Sequence, residues 1–120
     1  MNTQNNPPEF LLLFRGTQWD QGLSPEETQA ILNKWMDWYD RLTREGKLKG
    51  GQPLEHAGKV VSGKRGSQVS DGTFAESKEA VGGYFLLRVD TIEEAIAIAR
   101  DCPALGYGLS VEVRPVAERC

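Results

Sequence analysis

An unbroken apolar run near the N-terminus is the feature that most constrains the fold of this chain. Residues 10–14 read FLLLF, with two prolines shortly before them and Gly16 shortly after. A strand that is half exposed alternates apolar and polar residues, whereas an unbroken run is typical of a strand buried on both faces. The run therefore predicts a sheet that is covered on each side.

Two capped helices separate the strands. Ser24-Pro25-Glu26-Glu27 forms a capping box with proline at the first helical position, and Gly46 is placed to end that helix. Four apolar residues follow the first box at helical spacing and predict one buried stripe: Ile31, Trp35, Trp38 and Leu42. Thr91-Ile92-Glu93-Glu94 is a second capping box, and Pro103 blocks that helix from continuing.

The remaining strands complete a recognisable order. Tyr84 to Val89 is a strand with little polar interruption, and Leu109 to Val116 alternates cleanly. Val60-Val61 and Gln68-Val69-Ser70 predict a hairpin with Lys64-Arg65-Gly66 as its turn. The order β, α, hairpin, β, α, β predicts a single α+β domain over residues 1–120, a ferredoxin-like sandwich in which the hairpin is an extra element.

Composition narrows the classes of function. The chain has 120 residues, a net charge of −3 and one histidine, which argues against general nucleic-acid binding and against a multi-histidine metal site. No apolar run reaches membrane-spanning length. Residues 1–8 resemble a disordered lead-in and not a signal peptide, and the two cysteines are too few for a disulfide framework. These features predict a cytoplasmic protein without a membrane partner, a metal or another cofactor.

Residues 71–90, DGTFAESKEAVGGYFLLRVD, resemble the signature of the YCII-related family in its DGPF-type subgroup. That subgroup has an Asp-Gly-Pro-Phe turn, then Ala-Glu-(Thr/Ser)-Lys-Glu, then Gly-Gly and an aromatic residue. This chain matches at Asp71, Gly72, Phe74 to Glu79 and Gly82 to Tyr84, with Thr73 in place of the proline. The resemblance implies a dimeric α/β barrel, in which two such sheets pack face to face.

The sequence also predicts a homodimer, because two helices can cover only one face of the sheet. The uncovered face would carry one side of the apolar run, and an exposed apolar surface of that kind usually marks an association site. In the last strand Ser110, Glu112 and Arg114 are expected on this open face. Glu112 and Arg114 either form an ion pair, within the chain or across the dimer, or Arg114 holds the carboxylate of a ligand.

The signature loop supplies candidate catalytic residues. Glu76 and Glu79 are three residues apart and would share a face if the loop forms a helical turn, and two carboxylates sharing a cleft can act as general acid and base. Asp71, in the predicted turn, and Glu76 are the candidates from this loop. Lys78, between Glu76 and Glu79, is a candidate for binding a small anionic ligand. The alternative is that these are solvated loop charges.

His56, the single histidine, is the third candidate catalytic residue. No nucleophile motif accompanies it, and an exposed loop histidine is the alternative. Some YCII-related proteins have been proposed to use a histidine–aspartate pair near the first strand and helix, and the matching region here has no histidine. It offers Arg15, Trp19, Asp20 and Asp37. Arg15 is either an anion clamp or an ion-pair partner, and Trp19 either lines a cleft or is an ordinary packed loop aromatic.

Two functions from different classes follow. The first is a small-molecule acid–base enzyme, an isomerase or lyase that works in a cleft at the dimer interface. Relatives with the dimeric α/β-barrel fold include muconolactone isomerase-like enzymes and a dehydrochlorinase. The second is a non-catalytic binding or accessory protein, because DGPF-type proteins are often encoded near extracytoplasmic-function sigma factors. The fold does not choose between them.

Overall fold

The computed structural model describes residues 8–72 and 80–117. Within those ranges the regular elements follow in this order: β1 (Glu9–Arg15), α1 (Pro25–Arg44), β2 (Leu48–Pro53), β3 (Lys59–Ser62), β4 (Gln68–Asp71), β5 (Val81–Arg88), α2 (Ile92–Ala99) and β6 (Ser110–Pro115). Short 3₁₀ turns occupy Lys64–Gly66, between β3 and β4, and Leu105–Tyr107, before β6.

Four of the strands form one antiparallel sheet in the order β2-β5-β1-β6. Taken with α1 and α2, this is the ferredoxin-like βαββαβ topology that the element order predicts. β3 and β4 form a separate two-stranded hairpin, whose turn spans Lys64 to Gly66 as expected. The predicted fold class is confirmed.

Both ends of α1 are fixed by the signals in its sequence. The Ser24 hydroxyl accepts a hydrogen bond from the Glu27 backbone at 3.0 Å, and the Glu27 carboxylate accepts one from the Ser24 backbone at 2.8 Å. At the other end Gly46 has a φ of +75°, and the Lys47 N–H donates to the Leu42 carbonyl at 3.0 Å. This is a Schellman motif, and its left-handed residue is the reason that glycine suits position 46.

The core lies between the two helices and one face of the sheet. Alternate residues of β1 and β5 point into it, and α1 and α2 contribute one stripe each. Its buried members include Phe10, Leu12, Phe14, Ile31, Trp38, Leu42, Phe85, Leu87, Ala95 and Ile98. Three aromatic rings meet at its centre, where Phe85 lies 4.9 Å from both Phe14 and Trp38 between ring centroids.

The opposite face of the sheet is not covered by any helix of the described chain. We call it the open face, and it consists of Glu9, Leu11, Leu13, Arg15, Tyr84, Leu86, Arg88, Ser110, Glu112 and Arg114. Leu11 pairs with Leu86 and Leu13 with Tyr84, so an apolar patch occupies its middle. Ion pairs flank the patch, with Arg15 Nε 2.8 Å from Glu112 and Arg88 3.0 Å from Glu9.

β2 is the strand that the sequence pattern does not predict. Its residues, LKGGQP, have neither apolar alternation nor strand propensity. It forms because it lies along β5, and the pairing shifts register between Leu48 and Gly50. Tertiary pairing, and not local preference, therefore produces this edge of the sheet.

Gly51 allows β2 to approach β5 closely. A Cβ at this position would lie 2.7 Å from Phe85 Cδ1 and 2.7 Å from the Tyr84 carbonyl oxygen, whereas at Gly50 it would meet nothing within 4 Å. Overpacking of this kind costs about 1–3 kcal/mol. Gly51→Ala is therefore expected to lower the free energy of unfolding by that amount in urea denaturation, while Gly50→Ala, the matched control, changes it little. Equal effects would contradict the close approach.

Residues 52–71 are all exposed, and the hairpin lies within this segment. Three of its valines keep much of their surface in solvent, at 45% for Val60, 63% for Val61 and 64% for Val69. An isolated two-stranded hairpin is marginally stable in water, so this arm presents apolar surface without the support of the core. No helix in the described ranges is long and apolar enough to cross a membrane.

Candidate functional site

A cleft of about 870 Å³ opens on the helix side of the sheet, bounded by α1, the end of β1, the end of β2 and the start of β5. Its volume lies within the range of small-molecule sites, roughly 300–1,000 Å³. Five aromatic rings line it: Phe14, Trp19, Trp35, Tyr39 and Phe85. The cleft therefore combines a suitable size with an apolar wall.

Trp19 and Trp35 form the part of this wall that remains partly exposed. Their ring centroids are 6.1 Å apart and their planes are tilted by 34°. Trp35 also meets Phe14 edge to face, with centroids 5.2 Å apart, which ties the wall to the core. A ligand ring can therefore contact indole surface that is already held in place.

Polar residues line the same cleft from three segments. They are Thr17, Gln29, Asn33, Asp40, Gln52 and His56. On α1 the residues Gln29, Asn33, Met36 and Asp40 follow one another at four, three and four positions, so they share one side of the helix. The Gln29 amide donates to Asn33 Oδ1 at 2.9 Å, which orients both side chains.

Asp40 and His56 are the carboxylate and the imidazole among the described lining residues. Asp40 lies on the last turns of α1, and His56 lies three residues after β2. Both are exposed, which leaves them accessible to a ligand and to solvent. A carboxylate and an imidazole at one aromatic cleft can accept, hold and return a proton.

A β-bulge shapes the floor of the cleft. Phe14 pairs with Gly83 and Arg15 with Val81, which leaves Gly82 as an extra residue in β5. A Cβ on Gly82 would lie 3.1 Å from Thr17 Cγ2, and one on Gly83 would lie 3.0 Å from the Gln52 carbonyl oxygen. The paired glycines of the signature therefore serve close backbone packing beside the cleft.

Two of the candidate site residues from the sequence line this cleft, namely His56 and Trp19. Arg15 and Arg114 lie instead on the open face, where Glu112 is 2.8 Å from Arg15 Nε and 3.7 Å from Arg114 Nε. Of the two alternatives for Glu112 and Arg114, these distances fit an ion pair within the chain. Neither arginine lines the aromatic cleft.

Asp71 is the candidate signature carboxylate that the structure describes, and it is not among the residues that line the cleft. Asp71 ends β4 on the hairpin, where its carboxylate accepts from Lys59 Nζ at 2.7 Å and both side chains are exposed. Glu76 and Lys78 lie outside the described residues. Asp40, Gln29 and Asn33 are cleft residues that the sequence reasoning missed. Their spacing along the side of α1 that flanks the tryptophan stripe was the available signal.

A second, more open groove of about 380 Å³ runs along another side of α1. It is lined by Lys34, Asp37, Trp38, Arg41, Arg44, Asp101 and Pro103. Arg41 pairs with Asp101 at 3.2 Å, and both side chains are about half exposed. Exposed ion pairs of this kind contribute little binding energy, so we take the aromatic cleft as the candidate site. Among the described residues, 8–72 and 80–117, no three or more potential metal-ligating side chains form a group.

Cys102 is buried beneath α2 and is a structural thiol. Burial raises its pKa to about 11, although a backbone hydrogen bond with Ala104 acts in the opposite direction. In a Cys120→Ser background we expect the folded protein to resist thiol reagents at neutral pH, since the reactive species is the thiolate. Reaction at the rate of an unfolded thiol would contradict this placement.

The same burial predicts a pH dependence of stability. The unfolded thiol ionises near pH 9 and the folded one near pH 11. The stabilisation is therefore complete below pH 9 and is lost as pH rises through 11, by at most about 3 kcal/mol. Urea denaturation across this range should show that slope in the Cys120→Ser background. The slope should be absent when Cys102→Ala is added.

The family model of the YCII-related domain matches residues 9–118, and the chain belongs to that family. Among solved structures, the chain is similar to 5-chloro-2-hydroxyhydroquinone dehydrochlorinase (TftG) from Burkholderia phenoliruptrix AC1100 in complex with 2,5-dihydroxybenzoquinone. The two share 16% sequence identity over 92% of this chain and 95% of that chain, with a TM-score of 0.46. A comparison with curated proteins gave no significant match.

Proposed function

We propose that this YCII-related chain is a small-molecule enzyme of the acid–base type, an isomerase or lyase, whose site is the aromatic cleft. The observation that carries the proposal is the placement of His56 and Asp40 in one cleft with five aromatic rings. In this role the neutral imidazole of His56 takes a proton from a bound ligand and returns it to another atom. The Asp40 carboxylate stabilises the imidazolium that forms in between.

The cleft lies on the helix side of the sheet, and none of the described open-face residues lines it, so we place the proposed site apart from the dimer interface. The proposed site therefore differs from the one expected from the sequence in its location and in its candidate catalytic residues. His56 remains a candidate base, Asp40 joins it, and Asp71 is replaced because it pairs with Lys59 on the hairpin. Trp19 and Trp35 then position the ring or alkyl body of the ligand.

Solvent hydrogen exchange tests the proposal without knowledge of the final product. Small lactones, ketones and carboxylates that raise the melting temperature would be incubated with the protein in D₂O, and deuterium uptake followed by NMR. We expect exchange in at least one binder, lowered by about 100-fold or more in His56→Gln, because general acid–base catalysis contributes about 10²–10⁴-fold. Binders that exchange no faster than in buffer, or equally fast with His56→Gln, would contradict the proposal.

We also infer that the chain forms a homodimer through the open face. Leu11, Leu13, Tyr84 and Leu86 make a continuous apolar patch there, with ion pairs at its edges, as in the core and rim of an interface. The buried Arg88 Nε has no acceptor among the described atoms, and a second copy can supply one. The sequence of residues 71–84 matches the DGPF-type signature, and this match supports the proposal that the chain belongs to that subgroup.

A non-catalytic partner-binding role is the second candidate, and the hairpin favours it. Val61 and Val69 face each other across β3 and β4 and are both more than 60% exposed. Exposed apolar side chains on an arm outside the core are typical of surfaces that bind another molecule. The deuterium exchange experiment discriminates, because an accessory protein would bind small molecules without exchanging their protons.

A further inference from the structure

We propose that the aromatic cleft selects small organic ammonium compounds over carboxylates of the same shape. This inference rests on the cleft being the ligand site of the proposed function, and it names the charge class of the ligand. It departs from the anionic ligand that the arginines and Lys78 suggest in the sequence. Three observations support it: the charge of the lining, the aromatic wall and the unpaired state of Asp40.

The charge of the described lining is negative. Asp40 is its carboxylate, and the described lining contains no lysine or arginine. The two arginines expected to hold an anion lie on the open face with Glu112, on the other side of the sheet. A ligand carboxylate would therefore meet the like charge of Asp40, with no lysine or arginine of the described lining to hold it.

The aromatic wall acts in the same direction. Trp19, Trp35 and Tyr39 keep part of their surface open to the cleft. An ammonium group over the face of an indole or phenol gains about 0.5–2 kcal/mol from the ring quadrupole. An anion in that place gains nothing from the ring face.

Asp40 is available to such a group. Within the described ranges no lysine or arginine forms an ion pair with it. Arg44, one helical turn further on, lines the other groove. Arg41, its neighbour in sequence, pairs with Asp101 at 3.2 Å. The Asp40 carboxylate therefore lies beside aromatic surface without a counter-ion, and a ligand ammonium supplies one with charge-assisted hydrogen bonds.

The test uses three matched probes: benzylamine, benzyl alcohol and benzoate. Dissociation constants would be measured by NMR titration of the tryptophan indole N–H signals. We expect the ammonium compound to bind at least about tenfold more tightly than benzoate. Asp40→Asn should remove that preference by weakening benzylamine about tenfold and leaving benzyl alcohol unchanged. Asp37→Asn, on the groove side of the same helix, is the control and should change neither value.

Three outcomes overturn the inference. The first is benzoate binding as tightly as benzylamine, and the second is none of the three probes binding up to about 10 mM. The third is a preference for benzylamine that survives in Asp40→Asn. Failure of the proposed function is separable, since it appears as absent deuterium exchange and leaves these ratios intact. A fall in the preference when Asp40 is replaced would support the ammonium class whether or not the protein is catalytic.

Discussion

At micromolar concentrations the unaltered chain is expected to run as a dimer and the Leu11→Glu variant as a monomer. Leu11 lies on β1 in the middle of the open face, opposite Leu86 of β5 and Arg114 of β6. In the monomer the new carboxylate faces water and Arg114, so folding is preserved. In the dimer it would be buried twice by symmetry, at a cost of several kcal/mol.

A loss of about 4 kcal/mol weakens association about a thousandfold. Size exclusion with light scattering, over a series of protein concentrations, measures the change. Leu105→Glu is the control, because Leu105 is also an exposed apolar residue but lies in the turn before β6. A monomeric unaltered chain, or a Leu11→Glu variant that stays dimeric, would refute the account of the open face.

Phe85→Ala is expected to lower the free energy of unfolding by about 3–5 kcal/mol. Phe85 is buried at the centre of the aromatic cluster, with ring centroids 4.9 Å from Phe14, 4.9 Å from Trp38 and 5.5 Å from Tyr39. Truncation removes these contacts and leaves a cavity that the rigid rings cannot fill. A domain usually has about 5–15 kcal/mol of stability, so much of it would be lost.

Urea denaturation at one fixed protein concentration measures this effect, because the proposed dimer would make the midpoint depend on concentration. Phe85→Leu keeps most of the volume and should cost clearly less. Tyr107→Ala, at a half-exposed aromatic residue before β6, should cost under about 1 kcal/mol. A loss below about 1 kcal/mol for Phe85→Ala would show that the cluster is not the centre of the core.

Local signals predict the helices of this protein well. The capping box at Ser24, the glycine at position 46 and the threonine cap at position 91 all appear in the structure, where Thr91 Oγ1 accepts from the Glu94 backbone at 3.1 Å. These signals satisfy backbone groups within a few residues, so they operate without the rest of the chain. Strands with clear apolar patterns, β1, β5 and β6, are equally readable.

The edge strand β2 shows where that reasoning stops. Its two glycines and its proline carry no strand signal, and Gly51 is selected by the approach of Phe85 and Tyr84 from a distant part of the chain. The hairpin is the opposite case, since its turn residues predict it although no core supports it. Whether a strand forms at such places depends on pairing partners that are remote in sequence.

Some residues of the candidate site could likewise be predicted from the sequence, and others could not. His56 and Trp19 were identifiable from residue type and loop position, and both line the cleft. Asp40 was harder to identify. Its spacing from Gln29 and Asn33 marks one side of α1, but an aspartate on an amphipathic helix is usually a solvated residue, and only the tertiary structure brings that side of the helix to the cleft. Arg114 was expected on the open face and lies there, and Arg15 of β1 shares that face with it. Their role as ligand clamps stays a prediction.

The most direct test of the central claim, that the aromatic cleft is the ligand site, uses the three tryptophans as reporters. Trp19 and Trp35 line the cleft, whereas Trp38 is buried and borders the other groove. Their indole N–H signals, assigned by single tryptophan-to-phenylalanine variants, would be followed during titration with the best binders from the small-molecule screen. The account predicts that Trp19 and Trp35 shift strongly and Trp38 only weakly. Binders that leave Trp19 and Trp35 unmoved and instead shift the amides of Arg15 and Arg114 on the open face would contradict it.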